Sequence, residues 1–223
     1  ASLIGTHEIP VSDVPTLSKE KYDTTLQLAK LWDVKGLLFL RKVPDDYDWR
    51  QGAMRFFNNY KAADCDRMIG DRRRMNWREG RIPGVSRALP SAHMLSVLEV
   101  CPRLQRVSVC ISDRRDFYHQ FKVTEERAAS NAVWPLLKSE DVFELRAFDE
   151  FSRRSKRQRY DRRRHGDGFG FAMTTRSQPG GLLQPCFCSL PQGDHLGVEF
   201  ATDAHRNLLS SRGLLSAHEE LRS

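Results

Sequence analysis

Val107, Val109 and Ile111 alternate with Ser108, Cys110 and Ser112, and the alternation ends on Asp113. A period of two is that of a strand with one apolar face, so the pattern predicts a strand that delivers a carboxylate at its tip. An acid held there is a candidate metal ligand. Asp116, Tyr118, His119 and Gln120 follow directly. Upstream, Arg67 to Arg81 holds six Arg against Asp71 and Glu79, interleaved with Met68, Ile69, Met75, Asn76 and Trp77, which predicts a structured basic surface. The chain's five cysteines form neither a dense disulfide framework nor paired C-x-x-C spacing, so Cys186 and Cys188 read as strand residues rather than zinc ligands, in a reducing compartment.

The elements that must position these residues follow from periodicity. Tyr22, Leu26, Ala29 and Trp32 form an apolar stripe that predicts a helix over 17–35, with Gly36 where a C-terminal cap is expected, and Leu37–Leu40 reads as a short buried strand. Phe56-Phe57 and Arg67–Ile69, separated by polar residues, predict two strands of a hairpin. Pro83, Gly84 and Pro90 mark a loop, and Ser91 is an N-cap candidate for a helix carrying Met94, Leu95 and Leu98. Phe187–Leu190 reads as a strand ended by Pro191 and Gly193, and from Val198 onward Ala201, Ala204 or His205, Leu208 and Arg212 recur at helical spacing.

Three segments, taken in order, then carry a resemblance. Arg67, Asp71, Arg73 and Asn76 have the spacing of the reverse-transcriptase fingers motif. Asp113, Asp116, Tyr118, His119 and Gln120 have that of the palm motif, and Leu190-Pro191-Gln192-Gly193 is identical to the run that opens the family's next palm helix. The chain therefore resembles a reverse transcriptase, an RNA-directed DNA polymerase of retroelements, over about residues 35–212.

The resemblance implies an α/β (α+β) fold with right-hand polymerase fingers and a partial palm, whose incomplete antiparallel sheet is flanked by helices. Residues 1–35 would be an N-terminal helical segment, 36–105 a fingers-like region and 106–223 the partial palm. It implies nucleotidyl transfer on a primed RNA or DNA template, with deoxynucleoside triphosphates as substrates and Mg2+ or Mn2+ as cofactor. Phosphoryl transfer of this kind needs hard oxygen ligands. By the resemblance, Asp113 is the catalytic metal ligand, joined by the Arg114 carbonyl. Arg67 grips the triphosphate, with Lys61 a candidate for its γ-phosphate. Tyr118 lies beneath the sugar and selects deoxyribose. Gln192 touches the sugar's 3′ side, and Gly193 lets the backbone approach substrate. Arg73 and Asn76 contact template, with Asp71 as structural partner of Arg73.

The sequence departs from the family in three places. No Tyr-x-Asp-Asp signature follows Gly193, Phe117 stands where the family prefers a small residue, and Gly197-Val198 replaces the usual Ser-Pro or Ala-Pro. The chain begins with Ala and reads as a fragment whose metal site is completed by acids outside it. The alternative is a domesticated or degenerate relic that binds nucleic acid without catalysis.

Charge and hydropathy bound the remaining classes. The net charge is +7 over 223 residues. Residues 153–164 carry eight Arg or Lys against Asp161 alone, an excess equal to that of the whole chain. The basic pI of 9.3 thus belongs to one segment. Together with the Gly-rich stretch after it, that segment reads as a flexible basic insertion over about 152–181, suited to a solvated spacer, phosphate neutralisation or a nuclear localisation signal. No apolar run approaches the ~18 residues of a membrane span, so no membrane partner is expected.

Overall fold

A computed structural model describes residues 22–43, 52–63, 65–80, 114–164 and 181–216, with positions 82, 84, 99, 101, 103 and 106 between them. The described chain is mixed α/β, with two small antiparallel sheets and helices packed around them. Helix α1 (Tyr22–Val34) buries Thr25, Ala29 and Trp32. It ends as the sequence predicts: Gly36 has φ +68°, its N–H donates to the Asp33 carbonyl (3.0 Å), and Leu37 N–H reaches the Trp32 carbonyl (2.7 Å). These are the paired bonds of a glycine-terminated helix, and they turn the chain into β1 (Leu38–Lys42).

Strand β1 pairs antiparallel with β5 (Leu182–Phe187), which also pairs with the short β4 (Leu137–Lys138), giving the order β1-β5-β4. The expected strand at Phe187–Leu190 therefore lies earlier, at 182–187. Pro185, inside the strand, argues against such an assignment because proline cannot donate to a ladder. Here its carbonyl accepts from Val133 N–H (2.9 Å), and the neighbouring Arg41 guanidinium donates twice to Gln184 Oε1 (2.9 and 2.7 Å). Cys186 lies in β5 and Cys188 just beyond, both as buried free thiols. Burial pushes the Cys186 thiol up to about 12, against the pull of Arg41, so it stays protonated.

The second sheet is the hairpin β2 (Arg55–Ala62) and β3 (Cys65–Asp71). Most of the polar stretch expected to separate two short strands is itself strand, up to Ala62 and again from Cys65, with Asn58 opposite Met68 and Asn59 opposite Arg67. Phe56 anchors the hairpin: its ring meets Trp32 at 5.0 Å and Phe187 at 5.4 Å, while Trp32 and Phe187 are 5.1 Å apart. This aromatic triangle joins α1, β2 and β5 in one core, and buried aromatics dominate such energetics. Short helices α2 (Arg73–Arg78), α3 (Glu125–Ser130) and α4 (Ser139–Val142) surround it.

The Arg-rich stretch expected to be a flexible insertion is helical as far as Arg164. Helix α5 spans Arg146–Arg164. Its sequence contains neither Gly nor Pro and is rich in Arg, a good helix former. Its start is fixed from another element: the Asp33 carboxylate accepts from the N–H groups of Arg146 (3.0 Å) and Ala147 (2.8 Å). A carboxylate there satisfies two orphan donors and opposes the helix dipole. Residues 165–180, the rest of the expected insertion, lie outside the described residues, as do the expected strand at 107–111 and helix after Ser91. Helix α6 (Gly197–Ser211) closes the described chain. Among the described residues, no helix is long and apolar enough to cross a membrane.

Candidate functional site

The Leu-Pro-Gln-Gly run forms a buried elbow between β5 and α6, with Leu190 and Pro191 inside and Gly193 at the surface. Strand β3 docks directly on it. Gly70 N–H donates to the Gln192 carbonyl (2.7 Å), and Ile69 and Gln192 form a parallel bridge. Two glycines permit this approach. A Cβ on Gly70 would meet the Pro191 Cβ at 3.0 Å and the Met54 sulfur at 3.3 Å. Gly193 has φ +110°, and a Cβ there would collide with the Gly70 carbonyl oxygen.

Asn76, on α2, fastens the same loop. Its Nδ2 donates to the Gly193 carbonyl (2.7 Å), and its Oδ1 accepts from His195 N–H (3.4 Å). A third segment arrives through Ser189, whose hydroxyl lies 2.9 Å from the Tyr118 carbonyl and 2.8 Å from that of Phe121. Phe117–Gln120 is a single 3-10 turn entered through Asp116, which adopts left-handed φ 50°. The Tyr118 ring faces Gly197, where a Cβ would approach it to 3.2 Å. Gly197 thus leaves room for that ring. Phe117 packs edge-on against Phe121 and His205 at 5.0 and 5.8 Å.

The junction of the first and third motif segments therefore includes Asn76, Gln192 and Gly193, and the Tyr118 ring lies close by against Gly197 at the start of α6. Arg67 is exposed on β3, opposite Asn59, and shares a strand face with Ile69, two residues along. Lys61 is exposed near the end of β2, and Arg114 is exposed where the described chain resumes. Arg73 is exposed but engaged: its Nε and Nη2 donate to the two Asp71 carboxylate oxygens at 2.9 and 2.7 Å. That fork lowers the Asp71 carboxyl below its usual range and raises the Arg73 guanidinium. The partnership matches the sequence expectation. Asp113 lies outside the described residues.

Beneath the junction is a cluster that the motif spacing does not reveal. Arg72 is 1% exposed, an extreme value for an arginine, and its guanidinium donates to Glu79 and Asn131. Arg127, from α3, contacts Glu79 at 2.7 Å and also binds Asp194, whose carboxylate is 3.9 Å from Arg72 Nε. Two guanidiniums and two carboxylates alternate in a closed, charge-neutral ring. Burial pulls the Arg72 guanidinium down against the support of Asp194, while at Arg127 the attraction of Asp194 and the Glu79 hydrogen bond outweigh burial. Asn131 extends the ring to the sheet by donating to the Phe187 (3.0 Å) and Ser189 (3.1 Å) carbonyls. Asp194 also accepts from Leu196 N–H (2.9 Å) at the start of α6. The ring thus takes Arg72 from the first motif segment and Asp194 from just after the third, and reaches the second only through Asn131 and Ser189.

Ligand atoms of Glu79, Asp194 and His195 lie within 4.8 Å of one another, a spacing open to a cation. The two carboxylates already face Arg72 and Arg127, so a divalent ion would meet two fixed positive charges. The donor set fits a structural ion network better than a magnesium centre. The chain matches no protein-family model and no curated protein.

Proposed function

We propose that this chain is the fingers and part of the palm of a reverse-transcriptase-like polymerase, acting in metal-dependent nucleotidyl transfer on a primed template. The observation that carries the reading is the seam between two motif segments far apart in the chain: Gly70 and Asn76 hydrogen-bond to the Gln192 and Gly193 carbonyls. Motifs matched by accident have no reason to share one backbone junction. In this reading Arg67 and Lys61, exposed on the hairpin beside the junction, receive the triphosphate. Tyr118, Gln192 and Gly193 line the sugar, and Asn76 sets the loop that carries the last two. Asp71 holds the Arg73 fork in a fixed orientation toward the template strand. Asp113, with the Arg114 carbonyl, would hold magnesium, which would supply Lewis-acid stabilisation of the phosphoryl oxygens.

The test is nucleotide binding by the chain as it stands, measured by calorimetry with a deoxynucleoside triphosphate and magnesium. Arg67→Ala is expected to weaken binding about tenfold or more, the cost of a charge-assisted fork on phosphate. Equal affinity of variant and parent would remove Arg67 from the site. In a protein that also carries the two acids of a Tyr-x-Asp-Asp hairpin, Asp113→Asn is expected to abolish primer extension while template binding persists. Template binding with no triphosphate binding would favour the alternative, a non-catalytic nucleic-acid-binding relic.

A further inference from the structure

Helix α5 has two opposite faces with different partners. At 100° per residue, Ala147, Phe148, Phe151 and Arg154 fall on one side. That side is anchored: Ala147 is buried, Phe148 and Phe151 pack on the core, and Arg154 lies over the Phe39 ring at 4.3 Å while donating to the Leu40 carbonyl (2.8 Å). On the same projection Arg153, Lys156, Arg157 and Tyr160 fall within a sector of about 100°, centred opposite the anchored side. All four are solvent-accessible, Tyr160 by 64%. Among the described residues, none of the three cations forms an ion pair, although Asp149 and Glu150 stand one turn before Arg153.

Like charges three and four residues apart on a helix repel one another, so this face gains from a polyanion. We infer that the outward face of α5, formed by Arg153, Lys156, Arg157 and Tyr160, is a docking surface for the sugar-phosphate backbone of a nucleic-acid duplex. A straight row of cations on a rigid helix suits the regular phosphates of a duplex, whereas a single strand calls for several stacking aromatics and this face offers one. The surface does not rest on the polymerase reading, because it involves none of the residues assigned to triphosphate or template.

The experiment is fluorescence anisotropy of the full chain with a labelled DNA duplex of about two turns (~20 bp), titrated over a range of salt. In Arg153→Gln/Lys156→Gln/Arg157→Gln the slope of log affinity against log salt is expected to become shallower by about 2–3, near 0.9 for each phosphate left unneutralised. Lys30→Gln/Lys42→Gln, which removes two exposed lysines elsewhere, is expected to leave the slope unchanged. Matching far-UV circular dichroism and urea midpoints establish that the triple variant is folded. An unchanged slope in that variant overturns the inference. So does a triple variant that loses binding to phosphatidylserine vesicles while holding the duplex as the parent does, since the face would then serve a membrane surface.

Discussion

Arginine plays opposite parts in two regions of this molecule. Under the motif junction, Arg72 and Arg127 are enclosed with Glu79 and Asp194, and every guanidinium faces an acid. Along the outward face of α5, Arg153 and Arg157 are exposed and, among the described residues, form no ion pair. The difference teaches that the chain's basicity is not a single property. Charge needed to hold the fold is neutralised in place, and the net excess that remains is concentrated in one helical segment, where it is free to meet something else.

Five variants break or sharpen that contrast, each read from urea unfolding. The largest effect is expected for Arg72→Met, which leaves Glu79 and Asp194 undercompensated in a buried site and should cost about 3–5 kcal/mol. Arg72→Met/Glu79→Met keeps the ring neutral and is expected to cost less than the single change; a larger loss would show that charge balance is not what matters there. Gly193→Ala follows at roughly 2 kcal/mol, because its backbone is left-handed and its Cβ meets the Gly70 carbonyl. Asn76→Ala, which gives up the link to the Gly193 carbonyl, should cost about 1 kcal/mol. Smallest is the α5 triple variant, expected within about 0.5 kcal/mol of the parent; a large loss would mean that its cations are structural after all.

His119 adds a pH dependence on the junction's side. Burial lowers its imidazole below the usual 6.5, with Asp116 opposing and Lys35 reinforcing. The folded state therefore favours the neutral ring. The stability this contributes is fully present above 6.5 and is lost as pH falls through the folded value, since the unfolded chain takes up the proton first. The urea midpoint should drop between pH about 7.5 and about 5, and His119→Gln should flatten part of that drop.

Much of this architecture was legible in the sequence where the signal is local. The apolar stripe of α1, the Gly36 cap, the hairpin, the start of α6 and the Asp71–Arg73 pairing all follow from spacing over a turn or two. The resemblance assigned Asn76 to the template and Gln192 and Gly193 to the nucleotide, and the hydrogen bond that joins Asn76 to Gly193 is not stated by the motif spacing. What escaped is non-local or contrary to a local rule. Arg72 looks like one more surface cation, because its partners arrive from elsewhere; Arg127 and Asp194 alone are 67 residues apart. Pro185 disguised β5 by breaking a propensity rule that the sheet accommodates. The dense charge of α5 reads as a solvated loop, and only the Asp33 carboxylate, brought from the end of α1, explains where that helix begins.

The burial pattern of the hairpin has a mechanical consequence. Beyond Phe56 every residue of β2 is exposed, while Met68 of β3, opposite Asn58, still packs on the core, so the ribbon is a cantilever clamped as far as the Asn58–Met68 pair. Three residues of strand make an arm of about 10 Å, so tilting the clamp by ~10° would sweep Lys61 through roughly 2 Å. A small adjustment at the Gln192 elbow is thereby geared into a stroke long enough to make or break a hydrogen bond at the tip.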